Sequence, residues 1–282
     1  MQISCKGAPD SGGLAITVNI RLCSGDEILN ADRKLIRFVQ SEYELYDGVV
    51  TPQDSTLSLF DILLSIMMNS RLDTASKVQS IWKNKKPVEK ALSHIPADVS
   101  LQDEHLSWEN LETLFKAFCD IPWAGAAVSS KILHKKRPKL IPIYDSVIAI
   151  YINSCNAEAP LPRGSSKAAH MVWGMKCFRN LLLGSLEDIE RLRGLPEMSR
   201  FPLSAVRVLE VLLWIENEGN GYYQVCPQCH SGKVIPITYG NPTPRLLRLA
   251  AALKIKLGGE SRLPNRPRLH CTHCLNEWGE FR

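Results

Sequence analysis

Apolar residues in the middle of the chain recur at the spacing of α-helices. After Ser107, a residue type that caps helices, they fall at i, i+3, i+4 and i+7. These positions are Leu111, Leu114, Phe115 and Phe118. The spacing resumes at Ala127 and stops at Pro138, which cannot continue a helix. The pattern therefore predicts two short helices joined by a tight turn at residues 121–125.

Other stretches extend this pattern towards both ends of the chain. Residues 63–73 suggest an apolar helix followed by a polar turn, and residues 206–214 suggest a further apolar helix. Near the N-terminus, residues 14–22 alternate well enough for one strand. We therefore expect a mainly α-helical domain over residues 51–220, and a small strand-containing cap formed by residues 1–50.

A lone acid precedes the next helical pattern. Asp145 stands before apolar residues at helical spacing, so it is placed to cap that helix with its side chain. An aspartate in this position is ordinarily only a cap. Its separation from the turn at residues 121–125 gives a reason to consider a catalytic role as well.

The turn and the acid together resemble the helix-hairpin-helix DNA glycosylase superfamily, endonuclease III-like enzymes included. The family's turn reads leucine-proline-glycine-valine-glycine, and residues 121–125 read Ile-Pro-Trp-Ala-Gly. Position 127 is where bifunctional members carry a Schiff-base lysine. Asp145 lies 18 residues beyond that position, the separation that the family's catalytic aspartate requires. The resemblance covers roughly residues 55–218 and implies a helix-hairpin-helix glycosylase-like fold.

The resemblance also implies a reaction. Hydrolysis of an N-glycosidic bond develops positive charge on the sugar, which one positioned carboxylate can stabilise. Asp145 is the residue that matches this role. Because Ala127 cannot form a Schiff base, water should be the nucleophile and the product an abasic site with an unbroken strand. The target base must be flipped out of double-stranded DNA, since a stacked base cannot reach the carboxylate.

Candidate pocket residues come from two turns. The upstream turn offers Asn69, Ser70 and Arg71 to fill the position that a flipped base vacates, and Trp123 and Tyr144 offer faces for stacking. Each of them has a simpler structural alternative. Trp123, for example, could pack under the hairpin.

A basic stretch between the turn and Asp145 is a candidate DNA surface. Five of the nine residues 131–139 are Lys or Arg, and they follow a turn whose backbone amides can hold a phosphate. The predicted DNA contacts are Gly125, Lys131, Lys135, Lys136, Arg137 and Lys139. The alternative is a solvated helix end, where cations also interact favourably with the helix dipole.

Four of the nine cysteines form two CxxC pairs. They are Cys226, Cys229, Cys271 and Cys274. Two such pairs supply the four thiolates of a tetrahedral zinc site, which leaves no open position for water, so we expect structural Zn²⁺. The 41 residues between the pairs contain a helix-like stretch, and residues 221–282 resemble a bacterial zinc ribbon with a helical insert. A redox-active cysteine pair is the alternative.

Composition and charge set outer bounds. A chain of 282 residues with 45% hydrophobic content can form one large domain and a small one. Residues 223–282 hold nine Lys/Arg against three Glu, so the basic module is C-terminal and suited to phosphate. We expect a cytoplasmic protein without a membrane partner, because the N-terminus lacks a signal-peptide core and no apolar run reaches about 18 residues.

The sequence thus predicts a DNA glycosylase fused to a zinc ribbon, acting in base-excision repair or in defence against phage DNA. A non-catalytic DNA-binding protein is the first alternative. It is favoured by Trp123 in place of a hairpin glycine, and by Ser146-Val147 in place of the family's threonine-histidine. The second alternative is an interaction protein whose ribbon binds a protein partner. An open, base-sized pocket at Asp145 would favour the enzyme, and a filled one the binder.

Overall fold

The computed structural model of the protein describes residues 18–156, 164–218, 224–259 and 266–280. This part of the chain is mainly helical, with a small sheet near the C-terminus. It begins with a short antiparallel pair, β1 (Ile20–Arg21) and β2 (Glu27–Ile28), followed by α1 (Ala31–Glu42). Residues 14–17 of the predicted first strand lie outside the described residues.

Nine helices of the described chain follow before the C-terminal sheet. They are α2 (Leu59–Met67), α3 (Ala75–Lys83), α4 (Lys86–Leu92), α5 (Trp108–Cys119), α6 (Ala126–Lys136), α7 (Ser146–Cys155), α8 (Lys167–Gly184), α9 (Leu186–Arg193) and α10 (Ala205–Glu218). The two helices predicted around the turn at residues 121–125 are confirmed as α5 and α6. Ser107 caps α5 by accepting a hydrogen bond from the Asn110 backbone N–H at 3.3 Å.

One hydrophobic core joins these helices. It extends from Val18 to Ile215 and includes Leu35 and Phe38 of α1. The described part of residues 1–50 therefore packs into the helical domain and shares its core. The physical reason is that α1 has an apolar face of its own, which is buried against α10.

Helix α6 lies in the middle of this core. Eight of its residues are buried, among them Lys131, His134 and Lys136. A helix that is surrounded by protein does not need one polar face, provided that its polar side chains find partners. This position explains why several basic side chains of residues 131–137 are buried.

The C-terminal module is a four-stranded sheet with an inserted helix. Its elements are β3 (Val234–Thr238), α11 (Pro244–Ala251), β4 (Lys256–Leu257), β5 (Pro267–Cys271) and β6 (Glu277–Glu280). The strand order is β4-β3-β5-β6, with β4 parallel to β3 and the other pairs antiparallel. A helix between the two cysteine pairs is therefore confirmed.

The module contacts the helical domain at the start of α1 and the end of α10. Arg37 Nη1 donates to the Gly232 carbonyl at 2.6 Å, and His230 Nδ1 lies 2.9 Å from Asn30 Oδ1. Arg268 donates to the Glu216 carbonyl at 3.0 Å. At Gly232 a Cβ would lie 1.8 Å from the Arg37 guanidinium nitrogen, so a larger residue would displace this arginine side chain.

Across the described ranges, each helix is too short or too polar to cross a membrane.

A candidate active-site pocket and a cysteine cluster

A pocket of about 700 Å³ opens in the helical domain. Its wall is formed by α1 and the turn that follows it, the turn after α2, the hairpin and first turns of α6, the start of α7, and α10. Among the predicted site residues, the wall contains Asn69, Ser70, Arg71, Trp123, Gly125, Lys131 and Asp145. The fold thus brings together residues from three separate stretches of sequence.

Asp145 is the N-cap of α7, as predicted. Its Oδ1 atom accepts the backbone N–H groups of Val147 at 2.9 Å and Ile148 at 3.1 Å. Its Oδ2 atom accepts no hydrogen bond from the described residues, and the side chain is only partly buried. Two amide donors stabilise negative charge on the carboxylate, while one oxygen is left to face the pocket.

The turn after α2 lies at the pocket mouth. Asn69 has a left-handed backbone, with φ at 56°, and both Asn69 and Arg71 are exposed. Ser70 is buried, and its hydroxyl lies 3.0 Å from the Ser65 hydroxyl. Ser70 therefore supports the turn, while the exposed side chains of Asn69 and Arg71 are available to contact a ligand.

Trp123, in the hairpin, lines the same pocket as this turn. Its side chain is 65% exposed and the Lys77 Nζ atom lies 5.2 Å from its ring centroid. The indole therefore does not pack under the hairpin, which was the structural alternative. Its backbone is left-handed, with φ at 72°, so the tryptophan occupies a conformation suited to glycine.

Tyr144 does not line the pocket, and its proposed role as a stacking face is a misassignment. Its side chain is buried against Gly174, where a Cβ would lie 2.6 Å from the tyrosine ring. Burial raises the pKa of the Tyr144 hydroxyl to about 12. The side chain turns into the core because Tyr144 belongs to the apolar segment that precedes α7.

The basic stretch is largely internal, so most of the DNA contacts predicted there are wrong. Lys136 is buried and pairs with the fully buried carboxylate of Asp61 at 2.9 Å. Arg137 is 2% exposed and donates to backbone carbonyls, including Ile95 at 2.6 Å. Both cations are needed inside the protein, where they satisfy acceptors that have no access to water.

The remaining lysines of the stretch differ from one another. Lys135 is half-buried and donates to the Tyr46 carbonyl at 2.9 Å, so it too is engaged in the fold. Lys131 lies in the pocket wall and donates to the Met68 carbonyl. Burial lowers the pKa of the Lys131 amine, and the negative charge of Asp145 opposes this effect. Only Lys139 of the stretch is exposed, and it is still free to contact a phosphate.

Sequence reasoning missed a group of charged residues in the pocket wall. Arg207 of α10 makes a bidentate ion pair with Asp47, with both nitrogen–oxygen distances at 2.8 Å, and also pairs with Glu210. All three side chains are nearly buried, and the Arg207 guanidinium lies 5.6 Å from the Phe38 ring centroid and 5.7 Å from that of Tyr46. The available signal was the acid and the arginine inside the apolar pattern of residues 206–214.

The four cysteines of the CxxC pairs converge in the C-terminal module. Their Sγ atoms all lie within 4.8 Å of one another. The Cys226–Cys274 distance is 3.5 Å and the Cys229–Cys271 distance is 3.6 Å, too long for a disulfide, whose bond is about 2.05 Å. Four sulfurs in this arrangement can hold a metal ion.

Fold and site together define a mainly helical protein with an acid-lined pocket and a C-terminal four-cysteine module. Residues 29–217 match the Family of unknown function (DUF6308). The match covers more than half of the chain, so the protein belongs to this family. The matched range contains every residue of the pocket wall and none of the four clustered cysteines. Searches of curated proteins and of solved structures find no match.

Proposed function

We propose that the protein is a monofunctional DNA N-glycosylase. It takes a modified or damaged base, flipped out of double-stranded DNA, and hydrolyses the bond to the sugar to leave an abasic site. The observation that carries the proposal is the position of Asp145, which presents an uncommitted carboxylate oxygen to an open pocket. The helix-hairpin-helix resemblance of residues 121–145 supports the reaction class.

The chemistry assigned to Asp145 is electrostatic. Positive charge develops on the sugar as the base departs, and a carboxylate that is already held in place stabilises it without reorganising. The cap hydrogen bonds of Oδ1 provide this rigidity, and Oδ2 is free to orient the attacking water. The pocket volume of about 700 Å³ is ample for a nucleobase, and ligand pockets commonly fall in this range.

The open pocket is also the reason to prefer an enzyme over a non-catalytic DNA-binding protein. A pure binder has no need of a cavity beside the hairpin. Burial of Lys136 and Arg137 further reduces the basic surface that a binder would use. Cations at the pocket mouth, such as Arg71, and the basic C-terminal module remain to contact phosphate.

The absence of an amine at position 127 supports water as the nucleophile. Ala127 lies in the pocket wall, and the lysine in that wall is Lys131, one helical turn further along α6. Its amine donates to the Met68 carbonyl, so one of its hydrogens is engaged. We assign Lys131 to the electrostatics of the site, where its charge interacts with that of Asp145.

The test is release of free base from duplexes that each carry one modified base, followed by alkali to reveal abasic sites. Asp145→Asn preserves side-chain size and capping ability, so it should fold and bind DNA but lose base release by about 10²-fold or more. Asp120→Asn, at an exposed position outside the pocket wall, is the matched control and should retain full activity. Full activity of Asp145→Asn rejects the catalytic assignment. Borohydride trapping of a protein–DNA adduct, or strand cleavage without alkali, rejects the monofunctional mechanism.

We further propose that the four-cysteine cluster binds structural Zn²⁺. A tetrahedron with metal–sulfur bonds of about 2.3 Å has sulfurs roughly 3.8 Å apart. The Cys226–Cys274 and Cys229–Cys271 sulfurs lie 3.5 and 3.6 Å apart, and all four sulfurs lie within 4.8 Å of one another, which is compatible with this arrangement. With four thiolates as ligands, the metal would stabilise the module and leave the chemistry to the pocket.

A further inference from the structure

Besides Asp145, Glu42 and Asp47, the pocket wall contains the carboxyl group of Glu210. Its side chain is 2% exposed, and its Oε2 atom accepts from Arg207. Its Oε1 atom accepts no hydrogen bond from the described residues, and Glu210 lines the pocket. One oxygen of Glu210 is therefore available to a molecule in the pocket, as is one oxygen of Asp145.

Charge counting indicates that Glu210 takes up a proton readily. Arg207 is already neutralised by the bidentate pair with Asp47, so Glu210 is a second buried acid on a single guanidinium. Asp145 faces the same pocket and adds a further negative charge, whereas the nearby Lys131 is positive. Burial raises the pKa of Glu210 to about 7. The charge and hydrogen bond of Arg207 oppose this shift, and the smaller effects of the Asp145 and Asp47 charges add to it.

We infer that Glu210 is a second catalytic residue, the acid that transfers a proton to the departing base. This inference rests on the proposed glycosylase function. As the N-glycosidic bond breaks, its electron pair goes to the base, which takes the proton from the Glu210 carboxyl group. Water adds its oxygen to the sugar carbon while Asp145 stabilises the positive charge there. The proton released by that water returns through solvent to the Glu210 carboxylate, so the atoms and charges balance.

A proton donor in this place also restricts the substrate class. A neutral base is a poor leaving group until it is protonated, whereas a base that already carries a positive charge leaves without an acid. The pair of Asp145 and Glu210 therefore suits neutral modified bases with a protonatable nitrogen or oxygen. When one acid donates a proton and another stabilises positive charge, the two usually differ in protonation state.

The first arm of the test measures protonation directly and does not depend on activity. The full-length protein is labelled with [δ-¹³C]glutamate, and the Glu210 signal is identified by its loss in Glu210→Gln. This signal should titrate near pH 7. Titration below about pH 5, as for ordinary glutamates, overturns the inference whatever the protein does to DNA.

The second arm measures base release at pH values from about 5 to about 9. The probes are duplexes that contain hypoxanthine, uracil, 8-oxoguanine or 7-methylguanine, the last being cationic. For a neutral base, the wild-type rate should fall as the pH rises through the Glu210 pKa. Glu210→Gln should remove this fall and lower the rate by about 10²-fold, within the usual range for a general acid. The exposed Glu187→Gln is the matched control and should behave as wild type.

The two proposals fail in different ways. Activity of Glu210→Gln equal to wild type on a neutral base, with Asp145→Asn inactive, overturns the acid role and leaves the glycosylase in place. An equal rate loss for neutral and cationic bases shows a structural role for Glu210 and also overturns the acid role. Release of none of the four bases by the wild-type protein overturns the glycosylase on these substrates, and the proton-donor role with it.

Discussion

Trp123 adopts a backbone conformation that an aromatic residue rarely takes. Its φ of 72° lies in the left-handed region, which costs a bulky side chain on the order of 1 kcal/mol or more. Such strain persists where the surroundings fix it, and it concentrates at functional sites. Because the ring is 65% exposed and lies in the pocket wall, we expect it to contact the distorted DNA.

Trp123→Gly separates this role from folding. Glycine accepts a positive φ without strain, so the free energy of unfolding should rise by about 1 kcal/mol. Affinity for a duplex with an abasic-site analogue should fall, since base–aromatic stacking contributes about 1–3 kcal/mol. Denaturant titration and fluorescence anisotropy measure the two effects. The control is Trp82→Ala, which removes another partly exposed indole outside the pocket wall. An unchanged affinity of Trp123→Gly would assign the ring to the hairpin alone.

At the level of residues, the sequence predicted those parts of the site that depend on neighbouring positions in the chain or on a motif spacing. Asp145 precedes a helical pattern and stands at a family spacing, so both its cap and its candidate chemistry could be stated in advance. Glu210 could not be found in this way. Its importance depends on Arg207 and on Asp47, which lies 160 positions from Arg207, and only the fold brings them together.

Helix α6 is the element whose surroundings the sequence described least well. Its lysines follow a hairpin, so a DNA surface and a solvated helix end were both reasonable. The structure places its charges inside the core instead, where Lys136 meets Asp61 of α2. A buried ion pair of this kind has no signature in local sequence, because the partner acid looks like an ordinary first-turn residue of another helix.

Lys136→Met tests this placement. Removal of Lys136 leaves the buried Asp61 carboxylate without its countercharge, and loss of one partner of a buried ion pair typically costs about 3–5 kcal/mol. Denaturant unfolding should therefore show a large loss of stability, whereas the exposed Lys139→Met should change stability by less than about 0.5 kcal/mol. A Lys136→Met protein of normal stability but with weakened DNA binding would instead assign Lys136 to phosphate.

Helices α5 and α6 were predictable from the sequence, whereas α1 was missed although its residues show a helical apolar pattern. The Ser107 cap of α5 and the apolar spacing of both α5 and α6 gave their positions along the chain to within a few residues. The N-terminal segment was expected to be a cap, although Ala31, Leu35, Phe38 and Val39 already form an apolar helical face. In the pocket, α1 then contributes Phe38, so the missed helix is part of the candidate site.

At the scale of the whole molecule, the C-terminal module is attached to the helices that form the pocket. It contacts α1 and α10 through Arg37 and Arg268, and both helices also contribute to the pocket wall. The module and the tail around it, residues 223–282, hold nine Lys/Arg against three Glu, whereas the rest of the chain is close to neutral. We therefore expect the module to supply phosphate contacts that α6 does not.

Removal of this module should weaken DNA binding without changing the chemistry. A protein that lacks residues 223–282 should bind duplex DNA less tightly, and each phosphate that is no longer neutralised should reduce the slope of log affinity against log salt by about 0.9. Base release at saturating DNA should keep its rate, because every residue of the pocket wall lies before residue 218. The measurements are anisotropy over a salt series and single-turnover base release.

The full-length Cys271→Ser protein is the matched variant, because it removes one metal ligand while retaining all the cations. It should release bound zinc and unfold the sheet, whose core contains Cys226, Val234, Leu269 and Cys271. Since the charges remain on an unfolded segment, its salt slope should lie between those of the wild-type and truncated proteins. Circular dichroism establishes that the helical domain is folded in both variants. If a folded truncation keeps the wild-type affinity and salt slope, the module does not contact DNA, and its exposed surface is better explained by a protein partner.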